Sequence, residues 1–411
     1  MRQTKSELRH GLEREFFRMR PIHHFRNFAT GAVALALFWS AQVGSADAQS
    51  SAQQSFVTTK EGGFLLDGKP FRVAGVNNHY LTFGSPGEVT RVLDDATAMG
   101  ANVVRTFLQP VIGSLDGRVP TIWNSKSTAD SSNLGTKGIY MMSWDPITNK
   151  MVPNDGPDGL QKVDYLIAEA AKRKLKLILA FVDFWAYTGG AQQMNAWYGS
   201  SDKYTFFAAD PRTRRDYKAW VRHVLSRVNT ITGARYSDDP TIFAWDLANE
   251  PDIHPKPLLH DWVSEMSAYV KSLAPKQLVT TGHGNMEQKL ADMNIPSVDF
   301  GTWHGYPSYV KMSHSDFDAR IREYCTIARN IGKPVILEEF GIPRSDPDQA
   351  NAYEIWLNTI ATSDCGGWVV WRLTSAQDSG LYPQDDHDKF DIHNDGGPAW
   401  QALRAAALKF Q

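Results

Sequence analysis

The chain has 411 residues, 42% of them hydrophobic and 21% charged, which suffices for one large buried core and excludes an intrinsically disordered protein. A formal net charge of -2 excludes broad electrostatic attraction to nucleic acid or an anionic membrane, so an uncharged partner fits best.

In chain order, basic residues extend to Arg26, an apolar run spans 32–39, and Ala46-Asp47-Ala48 precedes Gln49. This pattern predicts a signal peptide over 1–48 and hence a secreted protein, extracellular or periplasmic. The basic region is long if Met1 is the start, whereas Met19 gives an ordinary one. The apolar run is shorter than the roughly 20 residues that a spanning helix needs. No Cys follows it closely, which argues against a lipid anchor. After signal removal no membrane contact is expected, and the protein should be a monomer. Residues 49–55 read as a mobile lead-in, and 56–411 as the catalytic unit.

Phe64-Leu65-Leu66, the turn Asp67-Gly68 and Pro70-Phe71-Arg72-Val73 predict a β-hairpin that runs into a first strand ending near Asn77 and covers a barrel floor. Short apolar strands then alternate with amphipathic helices. Helix 88–99 is stopped by Gly100, and strand 102–107 follows. An irregular stretch over 108–157, carrying Trp123 and Trp144, is long enough to be functional. Next come helix 160–173, strand 176–182 and helix 212–228, whose buried face is Trp220, Val221, Val224, Leu225 and Val228. Strand 242–247, helix 258–273 and strand 277–281 come next. Three further strands lie near 300–304, 334–339 and 368–371, and a last helix covers 400–409. The pattern predicts an α/β fold, a single (β/α)8 TIM barrel with an N-terminal β-hairpin and no appended module. Cys325 and Cys365 are read as two small buried residues; pairing in an exported protein is the alternative.

In such barrels the active site lies at the C-terminal ends of the strands. The fourth strand ends in Trp245-Asp246-Leu247-Ala248-Asn249-Glu250-Pro251 and the seventh in Val335-Ile336-Leu337-Glu338-Glu339-Phe340-Gly341. Paired carboxyl groups at one mouth suit glycoside hydrolysis: one protonates the leaving oxygen, and the other attacks the anomeric carbon or activates water. Alone, each is as readily an ion-pair partner. Glu338 and Glu339 should point to opposite faces of a strand, and alternation does not say which points inward.

With these motifs the chain resembles glycoside hydrolase family 5, from Asp67-Gly68-Lys69-Pro70 to Trp368-Val369-Val370-Trp371. The resemblance implies Glu250 as general acid/base and selects Glu339 as nucleophile. It implies that Arg105 keeps Glu339 ionised and that Asn249 bonds the sugar 2-hydroxyl. It also places His304 and Tyr306 around the catalytic subsite, with Trp371 beneath the ring. Donation by the Arg105 guanidinium and a phenol should lower the pKa of Glu339, while Glu250 must stay protonated. The plainer readings are an ion pair for Arg105, a core residue for His304 and packing for Trp371.

The loop from Phe184 to Trp197 is similar to that of endo-β-1,4-mannanases, as is Arg227-Val228-Asn229-Thr230 with Tyr236, although Val182-Asp183-Phe184 departs from the family pattern. The 13 Trp include several in predicted loops, and sugar rings stack on such faces. Trp185 and Trp197 are therefore candidate substrate platforms, or else they pack the loop. Asp252 stands where many mannanases have Arg. The expected function is retaining cleavage of internal β-1,4-mannosidic bonds in mannan, galactomannan or glucomannan. A β-1,4-glucanase, an exo-acting β-mannosidase and a non-catalytic carbohydrate-binding barrel are the alternatives. The chemistry needs no cofactor and no metal. The acidic run Asp385-Asp386-His387-Asp388 reads as a solvated loop rather than a cation site.

Overall fold

The computed structural model describes residues 55–411 except 126, 128–137, 285–290 and 385–388. The expected signal peptide, most of the lead-in and the acidic run 385–388 lie outside the described residues.

Strands β1 (Thr58–Lys60), β2 (Gly63–Leu66) and β3 (Lys69–Phe71) form an antiparallel sheet. The β2–β3 turn places Asp67 at φ 54° and Gly68 at φ 73°, the left-handed pair that an Asp-Gly hairpin turn requires. Phe64 projects from this sheet into a floor cluster, edge-on to Phe243 at 5.3 Å and to Phe300 at 5.2 Å. Val73, Val103, Ile178, Ile336 and Val369 belong to the same cluster. The hairpin therefore covers the floor as the sequence predicts, with β1 as an added strand.

The barrel begins with β4 (Val73–Asn77) and β5 (Val103–Phe107). The following stretch is not irregular throughout: β6 (Val111–Ser114), β7 (Met142–Asp145) and β8 (Lys150–Pro153) form a separate three-stranded sheet. The barrel resumes with β9 (Lys176–Ala180), β10 (Ile242–Asp246), β11 (Leu278–Thr280), β12 (Gly301–Gly305), β13 (Val335–Phe340) and β14 (Gly367–Val370). These eight parallel strands run in the order β11-β10-β9-β5-β4-β14-β13-β12. Across the remaining β11–β12 seam, the Asp299 amide donates to the Val279 carbonyl at 2.8 Å, and Thr280 Oγ1 donates to the Phe300 carbonyl at 2.9 Å. The result is a nearly closed barrel.

Helices wrap the strands. Helix α1 (Pro86–Met99) opens with a capping box in which Ser85 and Glu88 bond each other's backbone amides, and it ends at Gly100 with φ 88°. Helices α2 (Leu160–Lys172), α3 (Gly190–Ala196), α4 (Phe206–Ala209), α5 (Pro211–Ser226) and α6 (Lys256–Leu273) follow, then α7 (His314–Ile331), α8 (Gln349–Ala361) and α9 (Pro398–Leu408). Helix α5 buries Trp220, Val221, Val224 and Leu225 as expected. Val228 does not join them: the helix stops at Ser226, and Val228 is 53% exposed.

The cysteine reading is corrected. Cys325 of α7 and Cys365, two residues before β14, are bonded as a disulfide with Cα atoms 4.9 Å apart. Both are buried, and the packing of α7 against the approach to β14 brings them together. No helix among the described residues is long and apolar enough to cross a membrane.

Candidate active site

The C-terminal ends of the barrel strands hold a connected charged cluster. Arg105 on β5 is fully buried at its centre. Its Nε donates to Asp246 at 2.7 Å, one terminal nitrogen donates to Glu339 at 2.5 Å and to Asn77 at 3.1 Å, and the other donates to Asn249 at 2.9 Å. Burial alone would weaken its charge, but Glu338, Asp246 and Glu339 more than compensate and hold it cationic. Arg105 is thus an ion-pair residue of the barrel interior and a direct partner of Glu339. Its guanidinium also lies 5.0 Å from the Phe107 ring, which in turn faces half-buried Trp371 at 6.1 Å.

Glu339 receives a second hydrogen bond, from the Tyr306 hydroxyl at 2.6 Å. Glu250 faces it. Trp185 Nε1 donates to one Glu250 oxygen at 2.6 Å, and His304 Nδ1 lies 2.7 Å from the other. His304 Nε2 is 3.3 Å from Glu338. The geometry therefore gathers Arg105, Trp185, Asn249, Glu250, His304, Tyr306 and Glu339, with Trp371 at the adjoining strand end.

Glu250 owes its position to local backbone. It sits at φ 51°, and its amide donates to the Gly282 carbonyl at 2.8 Å. A Cβ on Gly282 would come within 2.0 Å of the Ala248 carbonyl oxygen, and one on Gly284 within 2.5 Å of the Glu250 carboxyl carbon. Only glycine leaves room for the acid at these two positions.

Strand alternation does not separate Glu338 from Glu339. The β12–β13 register passes from Trp303↔Leu337 to His304↔Glu339 and skips Glu338. This bulge turns both carboxyl groups toward Arg105, Glu338 at 3.5 Å from its Nε. Glu338 has no solvent exposure, whereas Glu339 keeps 4% and borders the opening.

The electrostatics differ from the sequence expectation. Burial raises the pKa of Glu339, and the opposing charges of His304 and Arg105 only partly counter it. Burial acts on Glu250 too, but the His304 hydrogen bond and charge bring that group below its ordinary range. His304 is disfavoured as a cation by burial, yet Glu339, Glu250 and Glu338 push it up to about 10. The physical reason is the charge of Glu339 together with the 2.7 Å contact to Glu250, which favour the protonated imidazole and the ionised acid beside it. Asp183, Asp246, Glu250, Glu338 and Glu339 outnumber the cations Arg105 and His304, so protons must be retained somewhere. Burial and neighbouring carboxylates raise Asp246 and Asp183 to about 7 each.

Trp197 is a correction. It is 5% exposed, donates from Nε1 to the Ile112 carbonyl at 2.9 Å and stacks on Trp144 at 5.5 Å. It fastens the β9–α5 connection to β6 and offers no platform. Trp185 is half-buried, with its indole N–H committed to Glu250. Asp252 is taken up by His254 at 3.1 Å.

Residues missed by the sequence reading are Asn77, Asp183 and Asp246. Asn77 and Asp246 end barrel strands, so the strand-end rule could have found them. Asp183 pairs with Asn249 as a parallel bridge just beyond β9 and β10. Glu250, His304 and Glu339 each offer a ligand atom within 4.8 Å of the others, which could hold a cation. Their bonds to Trp185, Tyr306 and cationic Arg105 suit proton transfer and nucleophilic attack better, because a guanidinium on Glu339 opposes a second positive charge.

Comparison with known proteins adds the family. Residues 157–365, about half of the chain, match the model described as GH family 5 β-mannosidase-like. The chain belongs to this family. Within this family it is 28% identical over 375 residues to a probable mannan endo-1,4-β-mannosidase A of Aspergillus flavus, covering 86% of this chain and 89% of that protein. Among solved structures, an endo-1,4-β-mannanase from Rhizomucor miehei is similar with a TM-score of 0.74 at 29% identity, covering 86% of this chain and 99% of that one. An endo-β-1,4-mannanase from Thermotoga petrophila is similar with a TM-score of 0.70 at 30% identity, covering 84% and 78%.

Proposed function

We propose that this family 5 member is an exported endo-β-1,4-mannanase that cleaves internal bonds of mannan, galactomannan or glucomannan with retention of configuration. The observation that carries the mechanism is the proximity of Glu250 and Glu339, whose facing atoms lie within 4.8 Å of one another. Retaining glycosidases hold their carboxyl groups about 5–5.5 Å apart, whereas inverting ones leave about 6.5–9.5 Å for a water. Glu339 attacks the anomeric carbon while the glycosidic oxygen takes the proton shared by Glu250 and His304. The leaving sugar departs, and a glycosyl ester remains on Glu339. Glu250 then removes a proton from water, whose oxygen attacks the same carbon and frees Glu339.

Arg105 and Tyr306 orient the nucleophile and stabilise its regenerated charge. Asn249 accepts from Arg105 with its carbonyl oxygen and donates one amide hydrogen to Asp183 at 2.9 Å, leaving its second hydrogen for the sugar 2-hydroxyl. The mannan assignment draws on the named relatives. A panel of mannan, galactomannan, glucomannan and soluble cellulose with product sizing tests it. The expected early product is a ladder of β-mannan oligosaccharides whose first-formed ends are β-anomers. Cellulose as the preferred substrate, mannose alone as early product, or α-anomers first would each overturn part of the reading.

A further inference from the structure

We propose that Asp183 is a positioning residue joining the two reactive carboxyl groups, and that its negative charge extends activity to alkaline pH by keeping the acid proton on the Glu250–His304 pair. This inference rests on the function proposed above.

A single oxygen of Asp183, Oδ1, receives the Asn249 side-chain amide at 2.9 Å and the Trp185 backbone amide at 3.2 Å. Asn249 leads through Arg105 to Glu339, and Trp185 leads through its indole to Glu250. The path Glu339–Arg105–Asn249–Asp183–Trp185–Glu250 runs along one side of the site, and His304 closes the other, 2.7 Å from Glu250 and 3.5 Å from Glu339. The backbone fixes this corner. The Asn249 amide donates to the Val182 carbonyl at 2.8 Å, and the Phe184 amide donates to the Asn249 carbonyl at 3.0 Å. Gly190 approaches so closely that a Cβ there would lie 2.3 Å from the Asp183 carbonyl oxygen.

Asp183 is 3% exposed. The charged groups around it are Glu250 beyond β10, Glu339 on β13, Arg105 on β5 through Asn249, and His304 on β12 across Glu250. Burial, with the two glutamates adding to it, raises this carboxyl to about 7. Below that pH Asp183 is neutral; above it, its charge faces Glu250. A negative neighbour disfavours a further ionisation, so the Glu250–His304 pair gives up its proton at higher pH than it otherwise would. On the acid side of the profile Asp183 carries no charge, so that side is insensitive to it.

Asp183→Asn keeps an oxygen that can accept both hydrogen bonds and removes only the charge. With the full-length protein on soluble mannan, the alkaline limb of kcat/KM against pH should move down by about half to one pH unit. The acid limb should stay in place. Asp183→Ala removes the hydrogen bonds as well and should lower kcat about tenfold or more at every pH, with a smaller change in KM. If Asp183→Ala does not fold, Asp183→Asn still decides. A superimposable Asp183→Asn profile, or one lowered uniformly without a shifted limb, overturns this inference while wild-type mannan hydrolysis leaves the proposed function standing. Wild-type inactivity on every β-mannan would instead overturn the function, and this inference with it.

Discussion

The two ends of the same barrel strands solve opposite problems. Strand β5 places Val103 in the floor and Arg105 at the mouth; β10 places Phe243 below and Asp246 above; β13 runs from Ile336 to Glu338 and Glu339. At the floor, Phe64 packs edge to face on Phe243 and Phe300 with no ionisable partner in the cluster. At the mouth, burial is equally deep, but acidic groups outnumber cations. Floor residues contribute by leaving water, and the contribution depends on volume and shape. Mouth residues are held by a network whose members are individually costly to bury, so stability there is given up for reactivity.

The sharpest way to break this contrast is Glu339→Gln. An amide can still accept from Arg105 and Tyr306, but it cannot attack carbon. Mannan turnover should fall by about a thousandfold or more. Removing one negative charge from an over-acidic cluster should leave the melting temperature equal to wild type or higher. A variant that retained more than a tenth of wild-type kcat would exclude Glu339 as the nucleophile. One that melted well below wild type would remove the distinction between mouth and floor.

The converse change is Phe64→Ala. Loss of a fully packed ring costs about 3–5 kcal/mol of stability, seen as a lower urea midpoint. The floor lies at the far ends of the strands from Glu250, so kcat of the folded fraction should stay within about twofold. A large kcat loss in protein shown to be folded would mean that the floor shapes the mouth.

This division also explains how much was legible. The hairpin and the alternation of strands and helices were readable from periodicity, and strand-end position pointed to Glu250 and to the Glu338–Glu339 pair; the resemblance to family 5 is what selected Glu339 and singled out Arg105, Asn249, His304 and Tyr306. What escaped depends on distant contacts. Whether Trp197 faces substrate or Trp144 is decided by the β6–β8 sheet, which the sequence reading takes as an irregular stretch. The orientation of Glu338 depends on a one-residue slip in register that composition does not signal. The disulfide requires knowing that α7 lies against the segment before β14. The order of the pKa values needed the His304–Glu250 contact, since Glu250 by itself reads as a buried acid with a raised value.

The smallest expected effect, and the finest probe of the two ends, is the pH dependence of stability. His304 is raised from 6.5 to about 10, so its contribution is complete below pH 6.5 and is lost as pH rises through about 10. Asp183 and Asp246 are raised from 3.8 to about 7, so they too favour the folded state most at low pH and less as pH climbs through 7. Glu250 and Glu338 lie below their ordinary 4.5, so their contribution is lost as pH falls beneath that value. The opposing slopes predict a melting temperature that peaks in acid solution and declines from about pH 5 to 10, at about 2–4 °C per kcal/mol lost. Phe64→Ala should lower this whole curve without changing its shape, because the floor cluster carries no titrating group. Asp183→Asn should flatten the decline between about pH 4 and 7, because the residue whose burial opposes its charge is gone. A wild-type curve that rose from pH 6 to 9 would mean that the mouth is less acidic, as a charge network, than its geometry requires.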